Sequence, residues 1–417
     1  MRRVFTVILF GLFAFSTLPA MAKTPHAKPA HHPAITPAAT APATPPGPPA
    51  DVKTAGVPFE TAARQAVVID VNTGTVLYEK DADKRMPTAS MSKVMTAYVV
   101  ADALKKNEIQ KTTIMTVSKK AWMSGESAGG STMFLEPGTQ ISAWDLMQGM
   151  IIQSGNDAAV ALAEGISGSE DAFAQRMNIT AQKLGMTNSH FDNANGLPDP
   201  NHYSTPRDLA TLAIAYMHDF PEEAALDRVM SYTFHGIKQG NRNPLLYVSG
   251  LGADGVKTGH TDEAGYGLIG SAVQNGRHVM IVLSGMKSMA ERASESECVM
   301  RWAFDAFTGP TLFKAGEKVT DADVWQGQSP KVDLTVKDDV AYLMPRNAAP
   351  KLVVKAKFNT PIAAPVKAGQ ELGILEISAP GVTTKTVPLV AAADVPELNP
   401  FARLGYTIQY LLKGHGN

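Results

Sequence analysis

Between Thr88 and Met217 the apolar residues recur at helical spacing, while the segments on either side alternate apolar and polar residues at strand spacing. A largely helical block set between two β portions confines this stretch to an α/β domain. On its N-terminal side, "RQAVVIDVNTGTVLYEKDAD" alternates about Asn72-Thr73-Gly74, the pattern of a β-hairpin with a glycine in its turn. Pro87 then favours a break, and apolar residues at 91, 94, 95, 98 and 99 predict a helix from Thr88 to about Leu104, with Ser90 in its first turn. Helical periods continue through "AWDLMQGMIIQ", "NDAAVALAEGI", Phe173 to Leu184 and Pro206 to Met217. Strand character returns at Gly255 to His260, Tyr266 to Val273 and His278 to Leu283, with Asn275-Gly276 as a hairpin turn. A helix from Ala290 to Phe307 closes the domain.

The chain has 417 residues, 44% of them hydrophobic, which suits two globular domains plus appendages. Beyond Gly309 short alternating runs ("KVDLTV", "KLVVKAKF", "ELGILEI", "TKTVPLV") separated by Pro and Gly predict a small all-β sandwich, with no helix before the tail. In the tail Asn399 can cap a helix and Pro400 suits its first position, while Phe401, Leu404, Ile408, Leu411 and Leu412 fall within roughly 100° of one face. Such a helix is too short to span a bilayer. It lies in the membrane interface with Tyr406 and Tyr410 at headgroup level, or it packs on its own β domain.

The opening stretch, "MRRVFTVILFGLFAFSTLPAMA", reads as a secretory signal peptide over 1–22, cleaved after Ala22. Its apolar run from Val4 to Phe15 is shorter than the ~20 residues of a spanning helix, so an uncleaved anchor is the lesser reading. Residues 23–56, rich in Ala, Pro, Thr and His, form an extended tether, and folding arguments begin near Val57. His26, His31 and His32 in the tether lack acidic or cysteine partners at fixed spacing, and no metal or cofactor is expected. Cys298 is the single cysteine, so export brings no internal disulfide, and a buried, inert thiol is expected. A formal charge of −1 disfavours nucleic acid as a partner.

Three polar groupings carry the chemistry. Ser90 and Lys93 lie one helical turn apart on a shared face, whereas a second Ser-x-x-Lys, Ser284 to Lys287, follows a strand in a glycine-containing turn where nothing predicts a shared face. An unperturbed lysine, with a pKa of about 10.4, holds too little free amine at neutral pH to activate a serine. Burial among Val94, Met95 and other apolar residues, or a nearby cation, would favour the uncharged form of Lys93. The helix N-terminus would stabilise negative charge on a substrate carbonyl oxygen, with the N–H of Ser90 as a candidate donor. Ser154-Gly155-Asn156 sits where one helical pattern ends and another starts; its hydroxyl suits proton relay and its amide suits a substrate peptide group. Lys257-Thr258-Gly259 lies on a strand, where Gly259 would admit a ligand backbone, Lys257 would attract a carboxylate, and the N–H of His260 is a second candidate oxyanion donor.

In this order the three groupings resemble the motifs of penicillin-recognising serine enzymes. The fuller match, through "QSGNDAAVALAE", "GLPDPNHYSTPRDLA" and "DGVKTGHTDEAGYGLIGSA", is to the low-molecular-mass penicillin-binding proteins of the serine-type D-alanyl-D-alanine carboxypeptidase family. That resemblance implies an α/β penicillin-binding domain over 57–308, with an antiparallel sheet and helical block as in DD-peptidases and β-lactamases. A small all-β sandwich over 309–396 and an amphipathic membrane-associating tail over 397–417 follow. It implies catalytic roles for Ser90 as nucleophile, Lys93 as general base and Ser154 as proton relay. For substrate binding it implies Asn156, Lys257, Thr258, Gly259, His260 and Arg292, the last gripping the terminal carboxylate. Thr261 is an alternative source of a hydroxyl that some relatives carry at the position of His260. The implied substrate is a peptidoglycan stem peptide ending in D-Ala-D-Ala, the implied inhibitors are β-lactams, and the implied location is the periplasm, peripheral on the outer face of the cytoplasmic membrane.

A DD-endopeptidase would use the same residues on crosslinked peptides, and a non-catalytic envelope scaffold would use the β domain. A β-lactamase is disfavoured, because the segment nearest to its Glu-x-x-Leu-Asn loop, Glu223 to Asp227, lacks the asparagine.

Overall fold

The computed structural model describes residues 2–7, 52–126 and 130–405. Its central sheet has the strand order Val52–Thr54, Thr75–Lys80, Gln65–Asp70, Arg277–Met286, Gly265–Gln274 and Ala253–Thr261, every neighbour antiparallel. The two β portions of the sequence therefore meet where Gln65–Asp70 pairs with Arg277–Met286. This sheet already includes Val52–Thr54, ahead of the expected start at Val57, because that segment pairs along Tyr78 to Lys80.

Both faces of this sheet are covered, which accounts for the nearly continuous apolar run "HVMIVL". Val67, Ile69, Met280 and Val282 point into the helical block, while Ala66, Val68, Val279, Ile281 and Leu283 point at the Met289–Ala306 helix. Full burial of one such side chain contributes roughly 1.5–3 kcal/mol, so the alternation fixes strand register strongly.

The predicted helices form as Lys93–Lys105, Ala143–Ile152, Asn156–Ser167, Glu170–Lys183 and Pro206–Asp219. Several starts are set by side-chain caps: Ser142, Ser169 and Thr205 accept from the N–H groups of Asp145, Ala172 and Asp208, and Pro206 takes the first helical position. A further helix, Lys119–Glu126, was not anticipated from the periodicity. Cys298 is exposed rather than buried. Arg292, Ser296, Val299, Met300 and Ala303 take the inward face of its helix, which leaves residue 298 on the solvent side.

The second domain is built on an antiparallel sheet containing Lys318–Trp325, Lys331–Thr335, Lys385–Ala391, Glu371–Ser378 and Val353–Asn359, with Leu334, Leu375, Ile377 and Leu389 fully buried. One helical turn interrupts it, against expectation: a 3-10 segment at Arg346–Lys351 that buries Ala348. Arg2–Val7, expected within the leader, adds an antiparallel edge strand to Val353–Asn359. Residues 8–51, where the rest of the leader, its cleavage after Ala22 and most of the tether are expected, lie outside the described residues.

The tail starts as predicted, with the Asn399 side chain accepting from Ala402 N–H at 2.8 Å. Phe401 and Leu404 are 89% and 63% exposed, so they do not pack on the β domain. Tyr406, Ile408, Tyr410, Leu411 and Leu412 lie outside the described residues. Among the described residues no helix is long and apolar enough to cross a membrane.

Candidate active site

The first grouping sits at the junction of helical block and sheet. Ala89–Ser92 forms a 3-10 turn that leads directly into the Lys93–Lys105 helix, so Ser90 lies in that turn, ahead of the α-helix rather than in its first turn. Ala89 adopts a left-handed φ of 47°, a conformation an alanine holds only when its surroundings enforce it. Lys93, 1% exposed, donates from Nζ to Asn156 Oδ1 at 2.6 Å and the Asn195 carbonyl at 2.8 Å, and the same nitrogen lies 2.8 Å from Ser90 Oγ. Burial drives this amine well below the ordinary lysine range, with the cations Lys257 and Arg242 adding to the effect and Asp157 opposing it. A lysine in that state accepts a proton, and Ser90 offers the adjacent one.

The second grouping is a tight turn between two helices. Ser154 has a φ of 64°, and a Cβ on Gly155 would lie 2.8 Å from Asp157 Oδ1, so the turn needs glycine at its centre. The turn brings the buried Ser154 and Asn156 side chains to the two lysines: Asn156 receives Lys93, and Ser154 Oγ receives Lys257 Nζ at 2.8 Å. Burial, then Arg242 and Arg292, hold Lys257 down to about 7, while Asp227 works in the opposite direction.

The third grouping lies on Ala253–Thr261, the edge strand of the sheet that runs beside the Ala89–Ser92 turn. A Cβ on Gly259 would lie 2.9 Å from the Thr88 carbonyl oxygen and 3.2 Å from Ala89 Cβ, so glycine there admits the close approach of the Ala89–Ser92 turn. Thr258 is buried, and His260 is exposed and stacked on Tyr266 at 3.9 Å between ring centroids. Thr261 Oγ1 accepts from Ala264 N–H, which engages it in its own hairpin. Arg292 reaches this strand pair from the Met289–Ala306 helix, its guanidinium 5.7 Å from the Tyr266 ring centroid. The alternative pair separates: Ser284 is buried at a strand end, while Lys287 is exposed.

Several residues of the site escaped sequence reasoning. Arg242 bonds Ser131 Oγ and lends positive charge to both lysines. Asp157 accepts from Thr132 Oγ1 and from the N–H groups of Met133, Leu135 and Ala158, pinning the wall beside the second grouping. Asp227, fully buried against Gly255 with its carboxyl pushed well above the usual range by burial, sits behind Lys257. Only the "QSGND" run hinted at any of these, since an acidic residue at the first turn of a helix is a favourable position.

A helical block packed on an antiparallel sheet, with a serine–lysine pair at their junction, is the architecture of the penicillin-interacting serine enzymes. Comparison with known proteins narrows that class. Residues 51–288 match the D-alanyl-D-alanine carboxypeptidase peptidase family, and residues 307–397 match the C-terminal domain of penicillin-binding protein 5. The chain is 40% identical over 345 residues to D-alanyl-D-alanine carboxypeptidase DacC of Escherichia coli K12, covering 82% of this chain and 86% of that one. It superposes on penicillin-binding protein 5 from Haemophilus influenzae with a TM-score of 0.70 and 35% identity, covering 82% and 99% of the two chains. Its first domain resembles the cefotaxime-bound form of penicillin-binding protein D2 from Listeria monocytogenes, with a TM-score of 0.54, 32% identity and coverage of 60% and 99%. The chain belongs to the D-alanyl-D-alanine carboxypeptidase family and is a serine-type carboxypeptidase of the penicillin-binding protein class.

Proposed function

We propose that the enzyme removes the terminal D-alanine from peptidoglycan stem pentapeptides through an acyl-enzyme on Ser90. The observation that carries this reading is the buried Lys93 amine, 2.8 Å from Ser90 Oγ and held toward its neutral form. Lys93 takes the Ser90 proton as Oγ attacks the carbonyl between the two D-alanines, and the N–H groups of Ser90 and His260 receive the developing oxyanion. Ser154 passes a proton to the leaving amine, while Asn156 holds the substrate amide. Lys257, Thr258 and Gly259 flank the chain end, and Arg292 pairs with its carboxylate. Water then hydrolyses the ester and D-alanine has already left. Penicillins carry a strained amide that acylates the same oxygen, and the cefotaxime-bound form of a relative fits that expectation.

The same reading places the enzyme in the periplasm after removal of residues 1–22, tethered by 23–56 and held at the outer face of the cytoplasmic membrane by the tail. The exposed Phe401 and Leu404 support the tail's part in it. Incubation with a pentapeptide muropeptide beside a crosslinked dimer tests the choice of substrate. Free D-alanine from the pentapeptide with the dimer intact is the expected result, and cleavage of the dimer alone would replace the reading by an endopeptidase.

A further inference from the structure

The loop at 192–202 wraps the Ala89–Ser92 turn at three points. Its Asn195 carbonyl takes Lys93 Nζ at 2.8 Å, and Gly196, with a φ of 82°, lies so close that a Cβ would sit 1.9 Å from the Ala89 carbonyl oxygen. The third point is His202, 5% exposed, whose Nε2 lies 2.6 Å from Ser92 Oγ. Its tautomer follows from the other nitrogen: Nδ1 accepts the backbone N–H of Asp192 at 3.2 Å, so the ring proton is on Nε2 and is donated to Ser92. Ser92, fully buried, is in turn in hydrogen-bond contact with Thr88 Oγ1. Thr88 and Ser92 are the two ends of the turn that carries Ala89 in its left-handed conformation and the half-buried Ser90 beside it.

We propose that His202 is a positioning residue for the nucleophile, tying both ends of the Ser90 turn through Ser92 and Thr88 and docking the 192–202 loop against Lys93. The proposal rests on Ser90 being the acylated residue. A strained backbone persists where the packing over-determines it, and a buried bond from ring to hydroxyl to hydroxyl supplies that constraint here. Phe191 closes the ring's edge at 5.5 Å between centroids, and the charged or titratable groups that face it are Asp199 and His190 from nearby loop residues and Lys93 from the helix. Burial holds the imidazole down to about 4, so it works as a neutral donor and acceptor at neutral pH.

Two measurements on the full chain test this. Nitrogen NMR of protein labelled at histidine should show His202 with a bare Nδ1 and a protonated Nε2 at neutral pH; the reverse tautomer overturns the proposal. The acylation rate with a fluorescent penicillin should fall on the order of tenfold to a hundredfold in His202→Ala. That loss should lie in the acylation step rather than in prior binding. His202→Gln, whose amide can both accept from Asp192 and donate to Ser92, should recover most of the rate. An alanine variant that acylates at the wild-type rate, or a glutamine variant as slow as the alanine one, overturns the proposal. Should His202→Ala fail to fold, Ser92→Ala carries the test with the same expected loss, and a wild-type rate there is equally fatal. Wild-type protein that takes up no penicillin would instead remove the Ser90 reading, which separates the two failures.

Discussion

Lys93 and Lys257 approach one site from helix and sheet, and each buried amine has a serine oxygen for a partner at 2.8 Å: Ser90 Oγ for Lys93 and Ser154 Oγ for Lys257. The two are held differently. Lys93 is held well below the ordinary range by burial and then by Lys257 itself, whereas burial and Arg242 bring Lys257 to about 7, with Asp227 working in the opposite direction. On the proposed mechanism the first lysine is therefore the base and the second the cation.

The pH profile follows from that division. Activity needs Lys93 unprotonated, so it rises with pH through the lowered value of Lys93. It also needs Lys257 protonated, so kcat/KM of the free enzyme falls as pH rises through about 7. A bound carboxylate returns charge to Lys257, so the falling limb of kcat lies at higher pH than that of kcat/KM. Initial rates across pH give both limbs, and a kcat/KM still climbing at about pH 9 would contradict the assignment of Lys257.

Gly259→Ala forces a methyl group to within 2.9 Å of the Thr88 carbonyl oxygen, and backbone cannot yield as a side-chain tip would. The turn carrying Ser90 must shift, and acylation by penicillin slows by roughly a hundredfold, the scale of an ångström-sized misplacement. Stopped-flow or gel-based labelling reads the rate directly.

On the proposed mechanism Arg292→Ala removes the partner of the substrate's free chain end. A charge-assisted hydrogen bond contributes about 1.5–3 kcal/mol, so KM for a D-Ala-D-Ala peptide rises by roughly tenfold to a hundredfold while kcat changes less. Arg292→Lys recovers part of the loss. Steady-state kinetics on the three proteins shows whether KM or kcat carries the change.

Asp157→Asn strips charge from a carboxylate that accepts from one hydroxyl and several backbone N–H groups. Loss of about 2–3 kcal/mol is expected, which in a domain of this size lowers the thermal midpoint by several degrees. Calorimetry on the variant measures it, and an unchanged midpoint would mean the wall at 132–135 is held by other contacts.

Much of this architecture could be read from local pattern. The hairpin at Asn72-Thr73-Gly74, the helices through 143–183 and the paired strands about Asn275-Gly276 all carry a short-range period, and the structure has each of them. Ser90, Ser154 and Lys257 were legible because each belongs to a recognisable grouping. Arg242, Asn195 and His202 were not, since they reach the site through chain folding: Asn195 meets Lys93 across 102 residues, and His202 meets Ser92 across 110. No periodicity marks such a polar contact, and the backbone carbonyl of Asn195 leaves no trace in the choice of side chain. Gly259 shows a subtler limit, because its openness to close approach was legible while its contact with the Ala89–Ser92 turn was not.

Intact-mass spectrometry after incubation with benzylpenicillin, followed by peptide mapping, tests the central claim most directly. The account predicts a single penicilloyl adduct on Ser90 and none on a folded Ser90→Ala variant. An adduct mapped to another residue, or one that persists unchanged in Ser90→Ala, would contradict it.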